Sequence, residues 1–225
     1  MYKKKPFFIV FEGVEGCGKS FQSKKLYKKL LKNKIETILT REPGGTKSSE
    51  LIRNLILKDY FEKNTKEKFD KYTDTLLYLA ARNEHINNKI YPYIKRKYIV
   101  ICDRFIDSTI AYQVYGKKVS SSFINNIHKV ILKKIKPDIT FVLKVKPKIA
   151  FLRLKKRRHK NRYDKFSKKF YVKAQNSSSS YVALDLSLSA RHAVLNEPVS
   201  LYSEDLESGV FNPAMLNEKM ESSYH

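Results

Sequence analysis

The feature that most constrains this chain is a short apolar segment that runs directly into a glycine-rich loop. Residues 7–11 read Phe-Phe-Ile-Val-Phe, and residues 13–20 have the form G-x-x-x-x-G-K-S and open a helical pattern. Backbone N–H groups of such a loop surround a polyphosphate, the lysine reaches its outer oxygens, and the hydroxyl holds magnesium at a helix N-terminus. The sequence therefore predicts a strand-loop-helix phosphate site formed by Gly13, Val14, Glu15, Gly16, Cys17, Gly18, Lys19 and Ser20.

Apolar segments alternate with helical patterns along the chain. Segments rich in β-branched and aromatic residues predict buried parallel strands at 7–11, 36–39, 98–102 and 139–145. Apolar residues at three- and four-residue spacing predict helices at 21–31, 48–57, 73–86, 123–135 and 147–154. This alternation predicts an α/β fold, a three-layer α/β/α sandwich with a central parallel sheet. Ligands of such sheets lie beyond the carboxyl ends of the strands.

The composition is strongly basic. Lys and Arg number 46 against 22 Asp and Glu, which gives a formal net charge of +24 over 225 residues. This charge alone is compatible with a nucleic-acid partner, but the sequence has no helix-turn-helix, zinc-finger or RNA-binding aromatic pattern. The abundance of Lys, Ile, Asn, Tyr and Phe is typical of A/T-rich codon usage. We expect a solvated lysine-rich surface and no dedicated nucleic-acid partner.

Cysteine spacing and hydropathy bear on the compartment. Cys17 and Cys102 lack the spacing of a disulfide framework or a metal site. The apolar run at 7–11 is too short for a signal-peptide core, and no run approaches the 18 apolar residues of a membrane span. The sequence predicts a cytoplasmic protein with one catalytic core and no membrane partner.

Three further patterns follow the predicted strands and helices. Asp103 and Arg104 come directly after the third strand, where the carboxylate would orient magnesium together with Ser20 and the guanidinium would bind a phosphate. The second strand ends in the tight turn Arg-Glu-Pro-Gly-Gly-Thr at 41–46. Two pairs spaced by four residues each share a helix face, namely Tyr78 with Arg82 and Thr109 with Gln113. Taken alone, these pairs also fit ordinary core packing.

Together these motifs resemble the thymidylate kinase family of nucleoside-monophosphate kinases. The matching pieces are F-E-G-V-E-G-C-G-K-S at 11–20, T-R-E-P-G-G-T at 40–46, A-A-R-N-E-H at 80–85, C-D-R-F-I-D-S-T at 102–109, A-Y-Q at 111–113, P-D-I-T at 137–140 and N-R-Y-D at 161–164. The resemblance implies a P-loop NTPase type of fold and phosphoryl transfer from Mg-ATP to dTMP, giving dTDP and ADP. It also implies a homodimer.

The resemblance assigns roles to individual residues. It implies that Tyr78 stacks on thymine, that Arg82 and Gln113 hydrogen-bond its polar edge beside Thr109, and that Tyr112 disfavours a ribose 2′-hydroxyl. Arg104 would bind the dTMP 5′-phosphate with help from Arg53, and Glu42 and Pro43 of the tight turn would also line the dTMP site. Glu15 is the acidic residue of the phosphate loop. Because Gly16 stands where one branch of the family carries an arginine, catalytic charge is expected from a lid at about 154–164, supplied by Arg158 and Arg162.

The composition changes abruptly near residue 176. Residues 1–176 hold 44 Lys and Arg against 15 Asp and Glu, whereas residues 177–225 hold 2 against 7. We therefore expect a kinase domain at 1–176 and an atypical tail at 177–225 that is frameshifted, fused or disordered and does not supply the family's adenine-contacting loop. Three alternatives stay open: a P-loop kinase for another small acceptor, a basic nucleotide- or nucleic-acid-binding protein without kinase activity, and an inactive product of a damaged reading frame.

Overall fold

The fold is built on a parallel sheet flanked by helices. The computed structural model of the chain describes residues 5–58 and 67–156. Its strands are β1 (Phe7–Glu12), β2 (Thr37–Arg41), β3 (Ile99–Asp103) and β4 (Ile139–Val142). They pair in parallel in the order β2-β3-β1-β4, which confirms the predicted fold class.

Helices cover both faces of this sheet. One apolar cluster joins Phe8, Val10 and Val100 to Ile86 and Ile90. The alternate residues of the same strands turn to the other face and pack on the helix after the glycine-rich loop. The helices of the described ranges are α1 (Lys19–Lys32), α2 (Lys47–Leu57), α3 (Lys71–His85), α4 (Tyr91–Lys95), α5 (Ile106–Thr109), α6 (Ser121–Ile131) and α7 (Pro147–Lys155), with π-helical segments at Ile86–Ile90 and Ile110–Gly116.

Several boundaries differ from the sequence prediction. Helix α3 begins at Lys71, two residues before the predicted start at 73, because the Asp70 carboxylate caps it by accepting from the Tyr72 N–H at 2.7 Å. Helix α6 ends at Ile131, four residues before the predicted end at 135, because the chain then enters the left-handed region. The predicted lid arginines Arg158 and Arg162 and the tail at 177–225 lie outside the described residues.

Lysines occupy an unusual backbone position at the ends of four helical segments. Just past these ends the φ angles are +59° at Lys34, +62° at Lys97, +58° at Lys118, and +49° and +65° at Lys133 and Lys134. Glycine usually fills such a position because it has no Cβ to clash in the left-handed region. A lysine there keeps a favourable interaction with the negative end of the helix dipole but carries backbone strain.

A helix that crosses a bilayer must be both long and apolar. Among the described residues, no helix combines the length and the apolar character needed to cross a membrane.

Candidate active site

The glycine-rich loop connects β1 to α1 at the carboxyl edge of the sheet. Its glycines at 13, 16 and 18 all have positive φ, at +137°, +78° and +102°. A Cβ at Gly16 would come within 2.7 Å of the Ala150 carbonyl oxygen in α7, and one at Gly13 within 2.5 Å of the Leu143 carbonyl oxygen. A side chain at position 16 would therefore require α7 to move.

Lys19 lies folded over this loop. Its buried ammonium donates to the carbonyl oxygens of Gly13 at 3.0 Å and Val14 at 2.8 Å. Burial lowers the pKa of Lys19, and the nearby Arg104 guanidinium lowers it further. An anionic ligand on the loop would offset both effects, as a polyphosphate does.

Two oxygen ligands meet at the start of α1. The Ser20 hydroxyl donates to the Asp103 carboxylate at 2.5 Å, because the register of β1 and β3 sets Phe11 beside Asp103. A hydroxyl and a single carboxylate fit Mg²⁺, which keeps several waters and takes its remaining oxygens from substrate phosphates. In the described part of the chain, no group of three or more His, Cys, Asp or Glu side chains forms a dedicated metal cage.

Arg104 joins the third strand's end to the phosphate loop. Its guanidinium donates to the Gly13 carbonyl oxygen at 3.1 Å, to the Ser108 hydroxyl at 2.9 Å and to the Glu15 carboxylate at 2.7 Å. The other oxygen of Glu15 accepts from the Tyr112 hydroxyl. Burial opposes the charge on Arg104, but Glu15 and other nearby anionic groups outweigh it and raise the pKa of Arg104 well above its usual value.

Glu12 is a buried residue that the sequence analysis did not assign to the site. Its carboxylate accepts from the Phe105 N–H at 2.7 Å, from the Ser108 N–H at 3.3 Å and from the Ser108 hydroxyl at 2.6 Å. Burial and the nearby Asp107 raise the pKa of Glu12 to about 7. The sequence feature that could have identified Glu12 is its position at the carboxyl end of β1, because polar residues at strand ends face the site.

A second buried network surrounds Arg82 on α3. The Glu42 carboxylate accepts from Arg82 Nε at 2.7 Å and meets His85 Nδ1 at 3.2 Å. Arg82 also donates to the Phe105 carbonyl oxygen at 2.9 Å and to His128 Nε2 at 2.8 Å. Glu42 and Arg82 were both predicted to belong to the dTMP site. In the structure the Glu42 carboxylate binds the Arg82 guanidinium.

The other residues predicted to bind dTMP lie on α2, α3, α5 and the second π-helical segment. Gln113, in the second π-helical segment, is 1% exposed, and its Nε2 has no hydrogen-bond partner among the described residues. Thr109 is buried one turn earlier, and Tyr78 lies one turn before Arg82 on α3. Arg53 donates to the Pro43 carbonyl oxygen at 2.5 Å. A buried amide donor without a partner is what a ligand carbonyl would satisfy.

His128 should give the protein a measurable acid sensitivity. Because an arginine only donates, His128 Nε2 accepts from Arg82, and burial together with Arg82 lowers the pKa of His128 from 6.5 to about 4. The unfolded chain therefore binds the extra proton between these values, so the free energy of unfolding falls as pH falls from about 6.5 to about 4, by about 3 kcal/mol.

The measurement is urea unfolding of the wild type and His128→Gln at several pH values across this window. Glutamine has an acceptor oxygen that can reach the position of Nε2 but does not titrate, so its curve should lose less stability toward acid. Parallel pH dependences for the two proteins would show that His128 is not the group responsible.

Arg153 is a further residue that the sequence analysis missed. It lies on α7, immediately before the predicted lid, and its guanidinium donates to the Gly16 carbonyl oxygen at 3.1 Å. Residues 153–162 are rich in Lys and Arg, but nothing in their spacing distinguishes Arg153 from the lysines around it.

Known proteins with similar sequences point to one family. A sequence model of the thymidylate kinase family matches residues 11–188. A thymidylate kinase of Aster yellows witches'-broom phytoplasma is 43% identical over 170 residues, which cover 75% of this chain and 79% of that relative. One of Orientia tsutsugamushi is 39% identical over 218 residues, covering 95% of this chain and 94% of the relative, so this alignment runs past residue 176.

A solved structure agrees with the sequences. The crystal structure of thymidylate kinase from Ehrlichia chaffeensis is similar with a TM-score of 0.56 and 39% sequence identity, over 66% of this chain and 82% of that one. The family match covers well over half of the chain and carries the glycine-rich loop, the turn at 41–46 and the residues around Arg104. The chain belongs to the thymidylate kinase family.

Proposed function

We propose that the chain transfers the γ-phosphoryl group of Mg-ATP to the 5′-phosphate of dTMP, giving dTDP and ADP. The observation that carries this proposal is the contact of Arg104 with the Gly13 carbonyl oxygen, at 3.1 Å. The Arg104 guanidinium, which can bind one phosphate, therefore lies against the glycine-rich loop, which can bind a second phosphate. Two adjacent phosphate sites are what direct transfer between nucleotides requires.

The chemistry needs charge and alignment more than a base. An anionic oxygen of the acceptor phosphate attacks the γ-phosphorus, the bond to the bridging β–γ oxygen breaks, and its electron pair leaves with ADP. Lys19 would stabilise charge on the transferred group, with Arg158 and Arg162 as the proposed lid contribution. Mg²⁺, which Ser20 and Asp103 would hold, neutralises the ATP phosphates when it is bound.

Selectivity for thymine is proposed for the network around Arg82. Tyr78 offers a ring for stacking, and the buried Gln113 Nε2 and Arg82 offer donors to a base carbonyl. Arg82 is held in place by Glu42 and His128 on either side of its guanidinium. A base that leaves such buried donors unpaired is rejected more strongly than one that differs by a methyl group.

The test is ADP release measured with and without acceptor. We expect dTMP to stimulate release strongly, and dUMP, dCMP, dGMP and AMP to do so much less. Efficient turnover of another monophosphate would favour the kinase for a different acceptor. Salt-sensitive polynucleotide binding without dTMP turnover would favour the nucleic-acid-binding alternative.

We infer a homodimer that acts in the cytoplasm, where ATP and dTMP are found. Apolar side chains lie exposed on the packed helices α2 and α3, where Leu51 is 70%, Leu55 42% and Leu76 47% exposed. Helix faces of this kind are suited to burial against a second copy. Sedimentation of the wild type and Leu51→Glu would test this, since the charged variant should dissociate at concentrations where the wild type is dimeric.

Residues 1–176 are proposed to fold without the tail. Deleting 177–225 should leave the melting temperature nearly unchanged, whereas a family-type C-terminus grafted after residue 176 should raise it by several degrees. For a domain of this size, about 1 kcal/mol corresponds to roughly 2–4 °C. A truncated protein that unfolds or loses nucleotide binding would place 177–225 inside the fold.

A further inference from the structure

Arg104 lies in a backbone conformation that arginine does not favour. Its φ angle is +74°, in the left-handed region, where a Cβ costs roughly 1–2 kcal/mol. A side chain held in such a region persists when its surroundings fix it. The neighbouring hydrogen bonds show which groups do so.

Three contacts fix the peptide units on both sides of Arg104. Its own N–H donates to the Phe11 carbonyl oxygen at 2.9 Å, which continues the pairing of β3 with β1. The Cys102 thiol donates to the Arg104 carbonyl oxygen at 3.0 Å. The next N–H, that of Phe105, donates to the Glu12 carboxylate at 2.7 Å. The bond to Glu12 is the shortest of the three.

Glu12 also reaches the Arg104 side chain through one intermediate. The Ser108 hydroxyl donates to Glu12 at 2.6 Å and accepts from Arg104 Nη1 at 2.9 Å. The same carboxylate therefore orients both the backbone and the guanidinium of Arg104. Because Glu12 is only 2% exposed, we expect no contact between its side chain and a nucleotide.

We propose that Glu12 is a positioning residue that sets the affinity of the acceptor-phosphate site by holding Arg104 in its left-handed conformation. This inference rests on the proposed function, in which Arg104 binds the 5′-phosphate of dTMP. It assigns Glu12 no contact with substrate. Its effect should appear only for ligands that carry that phosphate.

The experiment compares dTMP with thymidine, which lacks the phosphate. Dissociation constants for both are measured by calorimetry for the wild type, Glu12→Ala, Arg104→Ala and the double variant. We expect the preference for dTMP over thymidine to fall about tenfold to a hundredfold in Glu12→Ala, since misplacing a fixed group by about 1 Å has effects of that size. The double variant should match Arg104→Ala, because the two residues act as one unit.

A matched control separates positioning from general loss of stability. Asp138 is another carboxylate that accepts from a backbone N–H of β1, that of Phe8, at 2.6 Å, but at the opposite end of the strand. Asp138→Ala should lower the melting temperature and leave the dTMP preference unchanged. Glu12→Gln should restore most of the preference, because the amide oxygen can still accept from Phe105.

If Glu12→Ala does not fold, the preference for dTMP over thymidine is measured in Ser108→Ala instead. It removes the link between Glu12 and the guanidinium, and the dTMP preference should fall at least threefold. An unchanged preference in Ser108→Ala, or in Glu12→Ala where that variant folds, would overturn the inference. A wild type that binds thymidine and dTMP equally would instead overturn the phosphate assignment of Arg104, and with it the proposed function.

Discussion

Replacing Lys19 with alanine is expected to lower kcat/KM for ATP by about a hundredfold to a thousandfold, whichever acceptor is present. Its ammonium lies over the phosphate loop, bonded to the Gly13 and Val14 carbonyl oxygens, and is proposed to bind the outer phosphates of ATP. Removing one preorganised charge from a transition state has effects of this size. Steady-state kinetics with ATP varied at saturating dTMP give the value.

Two variants make this result specific. Lys24→Ala removes an exposed lysine from the same helix and should leave the kinetics unchanged. Arg104→Ala should weaken dTMP much more than ATP, because its guanidinium is assigned to the acceptor phosphate. Equal losses of apparent affinity for both nucleotides in Arg104→Ala would contradict the separation into two phosphate sites.

Replacing Arg158 or Arg162 with alanine is expected to lower kcat by on the order of a hundredfold, with smaller changes in dTMP binding. The reason lies in the phosphate loop. Gly16 has a φ of +78°, and a Cβ there would meet the Ala150 carbonyl oxygen, so the loop does not supply a cationic side chain at that position. We therefore expect charge on the transferring group to come from the segment after α7.

The kinetic comparison uses Arg157→Ala as its control. Arg157 is adjacent in the sequence but is expected to be a solvated cation, so its variant should turn over at the wild-type rate. Unchanged kcat in both Arg158→Ala and Arg162→Ala would exclude a lid arginine as the source of the charge. Arg153, already bonded to the Gly16 carbonyl oxygen, would then be the next residue to replace.

The sequence predicted the parts of this site that depend on local chemistry. The strand, the loop and the helix that holds Lys19 follow one another along the chain, so their spacing alone indicated the phosphate site, and the sheet confirmed the fold class. The predicted strands were shorter than the observed β1, β2 and β3 at their carboxyl ends. The last residues of these strands are Glu12, Arg41 and Asp103. Because they are charged, they interrupt the apolar pattern from which the strands were predicted.

The parts that the sequence did not predict depend on contacts between distant residues. The conformation of Arg104 involves Glu12, which lies 92 positions earlier and becomes its neighbour only through the pairing of β1 with β3. Arg82 meets His128 only because α3 packs on α6. The π-helical segment that carries Gln113 has no recognised sequence signature, since it differs from an α-helix only in that its hydrogen bonds span one more residue.

The lysines in the left-handed region have a consequence for the engineering of this protein. Each left-handed lysine costs about 1–2 kcal/mol of backbone strain. Replacing it with glycine removes that strain, but it also raises the conformational entropy of the unfolded chain, worth about 0.5–1 kcal/mol, and removes a favourable charge at the helix end, worth about 0.3–1 kcal/mol. Glycine at Lys34, Lys97 or Lys118 would thus raise the free energy of unfolding by up to about 1 kcal/mol each, against the roughly 5–15 kcal/mol that separates folded from unfolded domains, whereas Lys133 also donates to the Asn87 side chain. None of these positions contributes a side chain to the candidate site, so the thermal tolerance of this enzyme can be raised independently of its catalysis.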